Sequence, residues 1–209
     1  MIVYARTEDP IGTWNKSLKH FFPNTSDPSL FSNVRLAEQG ISVYELVYDP
    51  LEWWQKRGDP VLEGNTIRFP SVDQPHQDVK AIAKHRIDQQ RDELQVSPFD
   101  CEFTENQFQT RPIDRENLLG AALDATIWIQ SGGDPDTLYW DSSDPEQAQG
   151  WIAIGNDVVP MSAAQLIQFA RNVQSRHKRL IFQGRMKKDA VEQAQSVSEI
   201  VGIVDAGWE

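Results

Sequence analysis

Residues 161–186, MSAAQLIQFARNVQSRHKRLIFQGRM, give the clearest indication of the fold of the C-terminal part of this chain. It opens with Ser162 and Gln165 in the S-x-x-Q spacing of a capping box, in which each side chain bonds the backbone N–H of the other residue. Apolar and small residues then recur at alternating steps of three and four residues, the period of an amphipathic helix. The stretch therefore predicts a long helix from Ser162 through Met186.

The apolar side of this helix is a heptad seam, and its members are Leu166, Ala170, Val173, His177, Leu180 and Gly184. Because the seam is shorter than three heptads, two interpretations stay open. The favoured one packs the helix, inside one domain, on a second amphipathic helix predicted at residues 79–96. The other pairs it with a second chain as an intermolecular coiled coil. We expect His177 to be a core or interface residue rather than a catalyst.

Cap and turn residues predict the remaining elements of this region. They are an extended segment at 106–113, a buried helix at 115–130 that is capped by Asp114 and stopped by Gly132 and Gly133, strands at 136–142 and 150–155, a hairpin turn at 155–157 leading into Val158 and Val159, and a short helix from Ser196, with Glu199 at capping-box spacing, to about Gly202. Together they indicate an α+β domain with a long amphipathic helix and a small antiparallel sheet.

The N-terminal third is punctuated by proline, which favours short segments joined by turns. Strands are predicted at residues 1–5, 42–49 and 65–69, where Val, Ile and Tyr are frequent. The stretch 68–78 carries two prolines and few apolar groups, which is typical of a linker. We therefore predict two domains: a small turn-rich β or α+β module at residues 1–75 and an α+β domain at 79–209.

Composition excludes several classes of partner. The formal net charge of −11 argues against nucleic acid and anionic membranes as partners, since both need a basic footprint.

The sequence also bears on the compartment of the protein. The one cysteine, Cys101, allows no intramolecular disulfide and favours a reducing compartment. The N-terminus lacks the pattern of a signal peptide. We therefore expect synthesis in a cytoplasm and no glycosylation at the Asn24-Thr25-Ser26 sequon.

The sequence contains no phosphate-binding loop, dinucleotide fingerprint or nucleophile elbow. The four histidines stand apart, and neither Asp73 with His76 nor the loop DSSDPEQ (141–147) has the ligand pattern of a metal site. We predict no catalytic residue, no cofactor and no metal. Adjacent Trp53 and Trp54 could form a sugar platform, but core filling plus an interface anchor is the favoured reading.

Two stretches resemble phage proteins. FFPNTSDPSLFSNVRLAEQGISVYEL, residues 21–46, resembles the N-terminal segment of proteins encoded beside tail-fibre genes in tailed bacteriophages. The match lies in residues 23–26 and in Leu36, Ala37, Gly40 and Ile41. The region from VKAIAKHRIDQQRDEL (79–94) through GWIAIGNDVVPMSAAQL (150–166) to the C-terminal helices resembles a phage-associated domain of unknown function.

This resemblance implies a non-catalytic structural protein of the virion tail, at the tail fibre or baseplate, that attaches or adapts the fibre. The alternative is a tail-fibre assembly chaperone absent from the mature virion, and a glycan-binding accessory ranks below both. Expected partners are tail-fibre or baseplate proteins, with homo-oligomerisation left open. The expected partner-binding residues are Phe21, Phe22, Phe31, Trp53 and Trp54.

Overall fold

The computed structural model describes residues 1–23, 32–141 (of Val34 the backbone alone), 143–144 and 146–208. The chain divides into two compact units, Met1–Val79 and Lys80–Glu209. Short sheets and helices occur in the chain together, so the predicted α+β class is confirmed.

The first unit is built around a four-stranded sheet. Its elements are β1 (Ile2–Arg6), α1 (Pro10–Thr13), a 3-10 turn (Leu18–His20), α2 (Asn33–Glu38), β2 (Ile41–Tyr48), β3 (Gln55–Arg57), β4 (Val61–Glu63), β5 (Thr66–Phe69) and β6 (Ser71–Asp73). The sheet order is β1-β2-β5-β4, with β2 and β5 parallel and the outer pairs antiparallel, while β3 pairs with β6. The three strands predicted here are confirmed as β1, β2 and β5.

One face of this sheet forms a hydrophobic cluster. Alternate residues of a strand share a face, and the cluster accordingly consists of Val3, Ala5, Tyr44, Leu46 and Ile67. Asp27 and Ser29, whose side chains suit the cap of a short helix, lie outside the described residues. Within them, α2 begins at Asn33, where the Ser32 hydroxyl accepts a hydrogen bond from the Arg35 N–H.

The prediction of a linker at residues 68–78 is wrong, because this stretch is folded. It holds the end of β5, all of β6 and the start of α3 (His76–Val96). Pro70 separates the two strands, and its carbonyl accepts a hydrogen bond from the Gly58 N–H at 2.8 Å. The Pro75 carbonyl accepts the Val79 N–H of the first helical turn at 3.1 Å. Both prolines therefore lie between elements, where their missing N–H costs nothing.

The second unit contains most of α3 followed by the remaining elements. They are β7 (Phe99–Asp100), β8 (Gln107–Phe108), α4 (Pro112–Gln130), β9 (Gly150–Ile152), β10 (Val158–Pro160), α5 (Ala163–Gln193) and α6 (Val197–Asp205). Each of the pairs β7–β8 and β9–β10 is antiparallel. The helix predicted at 79–96 is confirmed and begins three residues earlier, and the segment predicted as extended at 106–113 contributes β8 before α4 begins.

The capping box at the start of α5 is confirmed. The Ser162 hydroxyl accepts from the Gln165 N–H at 3.3 Å, and the Gln165 amide oxygen accepts from the Ser162 N–H at 2.9 Å. The helix continues past Met186 to Gln193. The Ser196 hydroxyl likewise caps α6, but Glu199 accepts from the Gln195 N–H instead of closing a reciprocal box, and this helix ends at Asp205.

The seam of α5 is buried inside the chain, in two parts. Its N-terminal part packs against α4 in one cluster, which includes Leu118, Ala122, Ala125, Leu166, Phe169, Ala170 and Val173. The predicted partner, the helix at 79–96, is wrong for this part of α5 and correct for the C-terminal part. That helix, α3, instead runs beside the C-terminal part of α5, where Lys188 pairs with Asp88 at 2.8 Å and Lys80 donates to the Glu192 carbonyl at 2.6 Å.

Two predictions around α4 need correction. The helix begins at Pro112 with Arg111 as its N-cap, so Asp114 is the third helical residue and not the cap. Proline is favoured at a first helical position because its fixed φ suits the helix and its missing N–H would be unbonded there anyway. The helix is also buried on one side only, whereas a buried helix was expected.

No strand forms over residues 136–141, contrary to prediction. Short side chains bond backbone N–H groups two residues ahead: Asp134 to Asp136, Thr137 to Tyr139, and Asp141 to Ser143. These local turns compete with a strand ladder. The buried Trp140 fixes the segment through its indole N–H, which donates to the Met161 carbonyl at 3.0 Å. The predicted hairpin is confirmed as β9–β10, with Asn156 at φ 68° in its turn.

Close packing in this hairpin makes Gly150 a sensitive position. A Cβ there would overlap the carbonyl group of Val159 on the paired strand, whereas a Cβ on Gly202 of α6 would meet nothing within 4 Å. We expect Gly150→Ala to destabilise the protein by roughly 1–3 kcal/mol and Gly202→Ala to stabilise it by about 0.5–1 kcal/mol. Urea unfolding followed by tryptophan fluorescence measures both, and a stability loss confined to Gly202→Ala would contradict the described packing.

Candidate interaction surface

An exposed apolar face on α4 is the main candidate for a binding surface. Leu119, Leu123 and Ile127 are 48%, 60% and 51% exposed, and Ile113 is 54% exposed on the same side. Steps of four residues place side chains one above the other on a helix. Gly120 lies among them and has no side chain. The space above it is open, because a Cβ there would meet nothing within 4 Å. We call Ile113, Leu119, Gly120, Leu123 and Ile127 the outer face of α4.

This face exists because α4 carries two apolar sides. Leu118, Ala122 and Ala125 are buried in the cluster shared with α5, and the outer face lies on the opposite side of the helix. One buried side suffices to hold a helix on its domain. The second apolar side therefore contributes little to the fold, and contiguous exposed apolar groups of this kind mark interaction sites.

The β9–β10 hairpin adds further exposed apolar groups. Trp151 and Ala153 pack against the same core cluster as α4, whereas Ile152 and Ile154 lie on the other side of the chain and are exposed, as is Val158. The alternation follows from the period of two in extended chain.

A cleft of about 440 Å³ lies between the start of α4 and this hairpin. Its polar side is formed by Gln109, Asn117, Asn156 and the ion pair Arg111–Asp114, whose Nε–Oδ2 distance is 2.8 Å. The Arg111 side chain, by its hydrogen bond, lowers the pKa of Asp114. The carboxylate is thus engaged with Arg111 and is a poor candidate for a general base. Its neighbours supply amide groups and apolar surface, which suit binding.

Metal-ligand geometry is absent from the described part of the chain, where no group of three or more His, Cys, Asp or Glu could hold an ion. Asp73 and His76, the pair weighed from the sequence, lie in β6 and at the start of α3. In the acidic loop, the Asp141 carboxylate accepts hydrogen bonds from the N–H and hydroxyl of Ser143, which lower its pKa. On a separate point, none of the helices in the described part of the chain combines the length and the apolar character that a membrane span requires.

His177 lies at a cavity of about 10 Å³ among α3, α4 and α5, the size of about one water molecule. Gln95, Thr110, Arg115 and Arg176 complete its lining. The Nδ1 atom of His177 is buried without a hydrogen-bond partner. Burial first, and then the charges of Arg115 and Arg91, lower its pKa. His177 is thus a neutral packing residue at a helix junction.

Two of the predicted partner-binding residues already pack within the first unit. Phe21 and Phe22 are half-buried against a cluster formed by Leu18, Leu36 and Ile41. Phe31 lies outside the described residues. Their role in binding stays a prediction, but for Phe21 and Phe22 part of the ring surface is used inside the unit.

Trp53 and Trp54 form an edge-to-face pair with ring centroids 5.4 Å apart. They lie in a turn just before β3. Both are half-buried. A flat platform for a sugar needs an exposed ring face, and the mutual contact reduces what either ring offers.

The residues that the sequence interpretation missed are those of the outer face of α4. The signal was present, since Leu119, Leu123 and Ile127 recur at steps of four, offset from Leu118 and Ala122. An apolar residue on every side of a helix indicates complete burial if no other information is at hand. Only the packing shows that α4 is covered on one side.

The environment of His177 predicts a pH dependence of stability. The pKa of His177 is lowered in the folded state, so protonation of this side chain favours the unfolded state. The protein has its full stability above the unfolded-state pKa of about 6.5 and loses stability as pH falls toward the folded-state pKa. We expect the free energy of unfolding to decrease from about pH 7.5 to about pH 5.5, above the range where carboxylates titrate. Urea unfolding across this range measures it.

The decrease should be weaker in a His177→Gln variant and should persist in His85→Gln, because His85 is exposed on α3. An equally steep decrease after removal of His177 would assign the pH dependence to other groups.

Comparison with known proteins gives one result. Residues 78–206 match the family model described as Domain of unknown function (DUF4376), which covers the second unit with α3 to α6 and the outer face of α4. No curated protein and no solved structure matches the chain. The matched region is more than half of the 209 residues. The chain therefore belongs to the family of the Domain of unknown function (DUF4376).

Proposed function

We propose that the protein is a non-catalytic structural component of a bacteriophage tail, located at the tail fibre or baseplate, where it attaches or adapts the fibre. The observation that carries the structural role is the outer face of α4. Three large aliphatic side chains of this face, Leu119, Leu123 and Ile127, are about half exposed. In an assembly a partner would cover them, and burial of apolar surface would drive association.

The phage assignment rests on two resemblances. Residues 21–46 resemble the N-terminal segment of proteins encoded beside tail-fibre genes, and the C-terminal region resembles a phage-associated domain of unknown function. In this proposal the first unit contacts the fibre or baseplate through its aromatic residues. Of these, Trp53 and Trp54 retain part of their surface for a partner, because they are only half-buried. The outer face of α4 belongs to the second unit and supplies a separate assembly contact.

An assembly chaperone would use the same kind of surface, so the particle itself has to distinguish the two roles. We expect quantitative mass spectrometry of virions of the encoding phage to find this protein in a fixed ratio to a tail protein. Absence from intact virions, together with fibreless particles when the gene is deleted, would favour the chaperone. Absence from virions whose tails are complete without it would overturn both roles.

The outer face of α4 can be tested by a single charge. We expect Leu123→Glu to change the stability of the isolated protein by no more than about 0.5 kcal/mol, since the side chain is 60% exposed. Incorporation into particles should nevertheless fall, because the interface would have to bury a carboxylate. Gln89→Glu, at an exposed position on α3, is the matched control. Equal incorporation of both variants would exclude the outer face of α4 as an assembly contact.

A further inference from the structure

Charge is strongly segregated along the second unit. Between residues 116 and 170 there are eight Asp or Glu and no Lys or Arg. The helix α5 has seven Lys or Arg and two Asp or Glu, a formal charge of +5 in a chain whose total is −11. Such a division within one unit creates two surfaces of opposite sign.

Part of the positive charge of α5 is used inside the unit. Arg176 donates to the Leu94 carbonyl at 2.8 Å, Lys187 donates to the Ile203 carbonyl at 3.0 Å, and Lys188 pairs with Asp88. These three side chains tie α5 to α3 and α6. They are therefore not available to a partner.

The other cations lie on the solvent side of α5, around two large apolar side chains. Phe182 and Met186 are 68% and 69% exposed. Arg171, Lys178, Arg179 and Arg185 are exposed on the same side, and Arg185 pairs with Asp189 at 3.1 Å. We call Arg171, Lys178, Arg179, Phe182, Arg185 and Met186 the basic face of α5. The four cations and Asp189 give this side a formal charge of +3 around the two apolar side chains, which fits a partner surface that is apolar and acidic.

The outer face of α4 has these properties. Leu119, Leu123 and Ile127 stand beside the exposed carboxylates of Glu116 and Asp124, within the stretch 116–170 that has no Lys or Arg, whereas Ile113 lies between Arg111 and Arg115. The inner sides of α4 and α5 pack on each other, so the two outer sides point away from each other. A single copy therefore cannot bring its own two faces together.

We propose that the outer face of α4 in one copy of this protein binds the basic face of α5 in a second copy. This inference rests on the proposed function, because it names the partner of the assembly contact described there. Two copies of the same face would oppose charges of equal sign, which disfavours a symmetric pairing of α5 with α5 or of α4 with α4. The contact is therefore head to tail, and it repeats into a ring or a filament.

Complementation between two variants tests the contact. Leu123→Lys blocks the outer face of α4, because it sets a cation against the basic face of α5, and it leaves that basic face intact. Phe182→Glu does the reverse, because it sets a carboxylate against the acidic side chains beside the outer face of α4. We expect sedimentation velocity to show concentration-dependent oligomers for the unmodified chain and for Gln89→Glu. Each blocked variant alone should be monomeric, with its association weakened at least about 30-fold. An equimolar mixture of the two should form a 1:1 dimer and nothing larger, because one competent contact remains.

Both substituted side chains are more than half exposed, so thermal unfolding should show that each variant folds. Added salt should weaken the oligomers, since the opposed charges are exposed and screened. A chain that stays monomeric at all concentrations, or a mixture without the 1:1 dimer, would overturn the inference. If the chain is monomeric but Leu123→Glu still reduces incorporation into particles, the proposed function stands and this inference fails. If the oligomers form as described but the protein has no place in tail assembly, the inference stands and the proposed function fails.

Discussion

The packing of α4 against α5 is the interaction on which the second unit depends. Phe169 lies at its centre, almost fully buried, with its ring 4.8 Å from that of Phe108 and 5.8 Å from that of Phe99. The facing surfaces of the two helices include the small side chains of Ala122, Ala125 and Ala170, so the helices can approach closely. This contact uses the inner sides of both helices, so within the second unit neither helix can cover the outer side of the other.

The cations of α5 fall into two groups, those held inside the second unit and those that face solvent. Lys187, whose pKa burial lowers, is held by backbone carbonyls at the junction of α5 and α6, and Arg176 is held in the same way at α3. Carbonyl oxygens compensate part of the cost of removing a cation from water. Among the described residues, Arg171, Lys178, Arg179 and Arg185 on the solvent side of α5 are not held by backbone carbonyls in this way. Their clustering around Phe182 and Met186 is what distinguishes the basic face of α5 from an ordinary solvated helix surface.

Local sequence signals predicted two local features correctly, because short-range hydrogen bonds and turn geometry set them. The capping box of Ser162 and Gln165 and the hairpin turn at Asn156 are of this kind. Long-range packing set the features that were missed. Nothing near residue 140 reveals that Trp140 bonds the Met161 carbonyl, and nothing within α4 reveals which of its two apolar sides meets α5. The candidate surface could be recognised only once the buried side was known.

Cross-linking between copies shows directly whether the outer face of α4 in one copy lies against the basic face of α5 in another. In a Cys101→Ser background, which removes the one native thiol, chains carrying Leu123→Cys and chains carrying Phe182→Cys would be mixed and treated with a short bismaleimide. We predict efficient formation of a dimer linked between positions 123 and 182. A yield no higher than that obtained when Gln89→Cys replaces Phe182→Cys would contradict this contact.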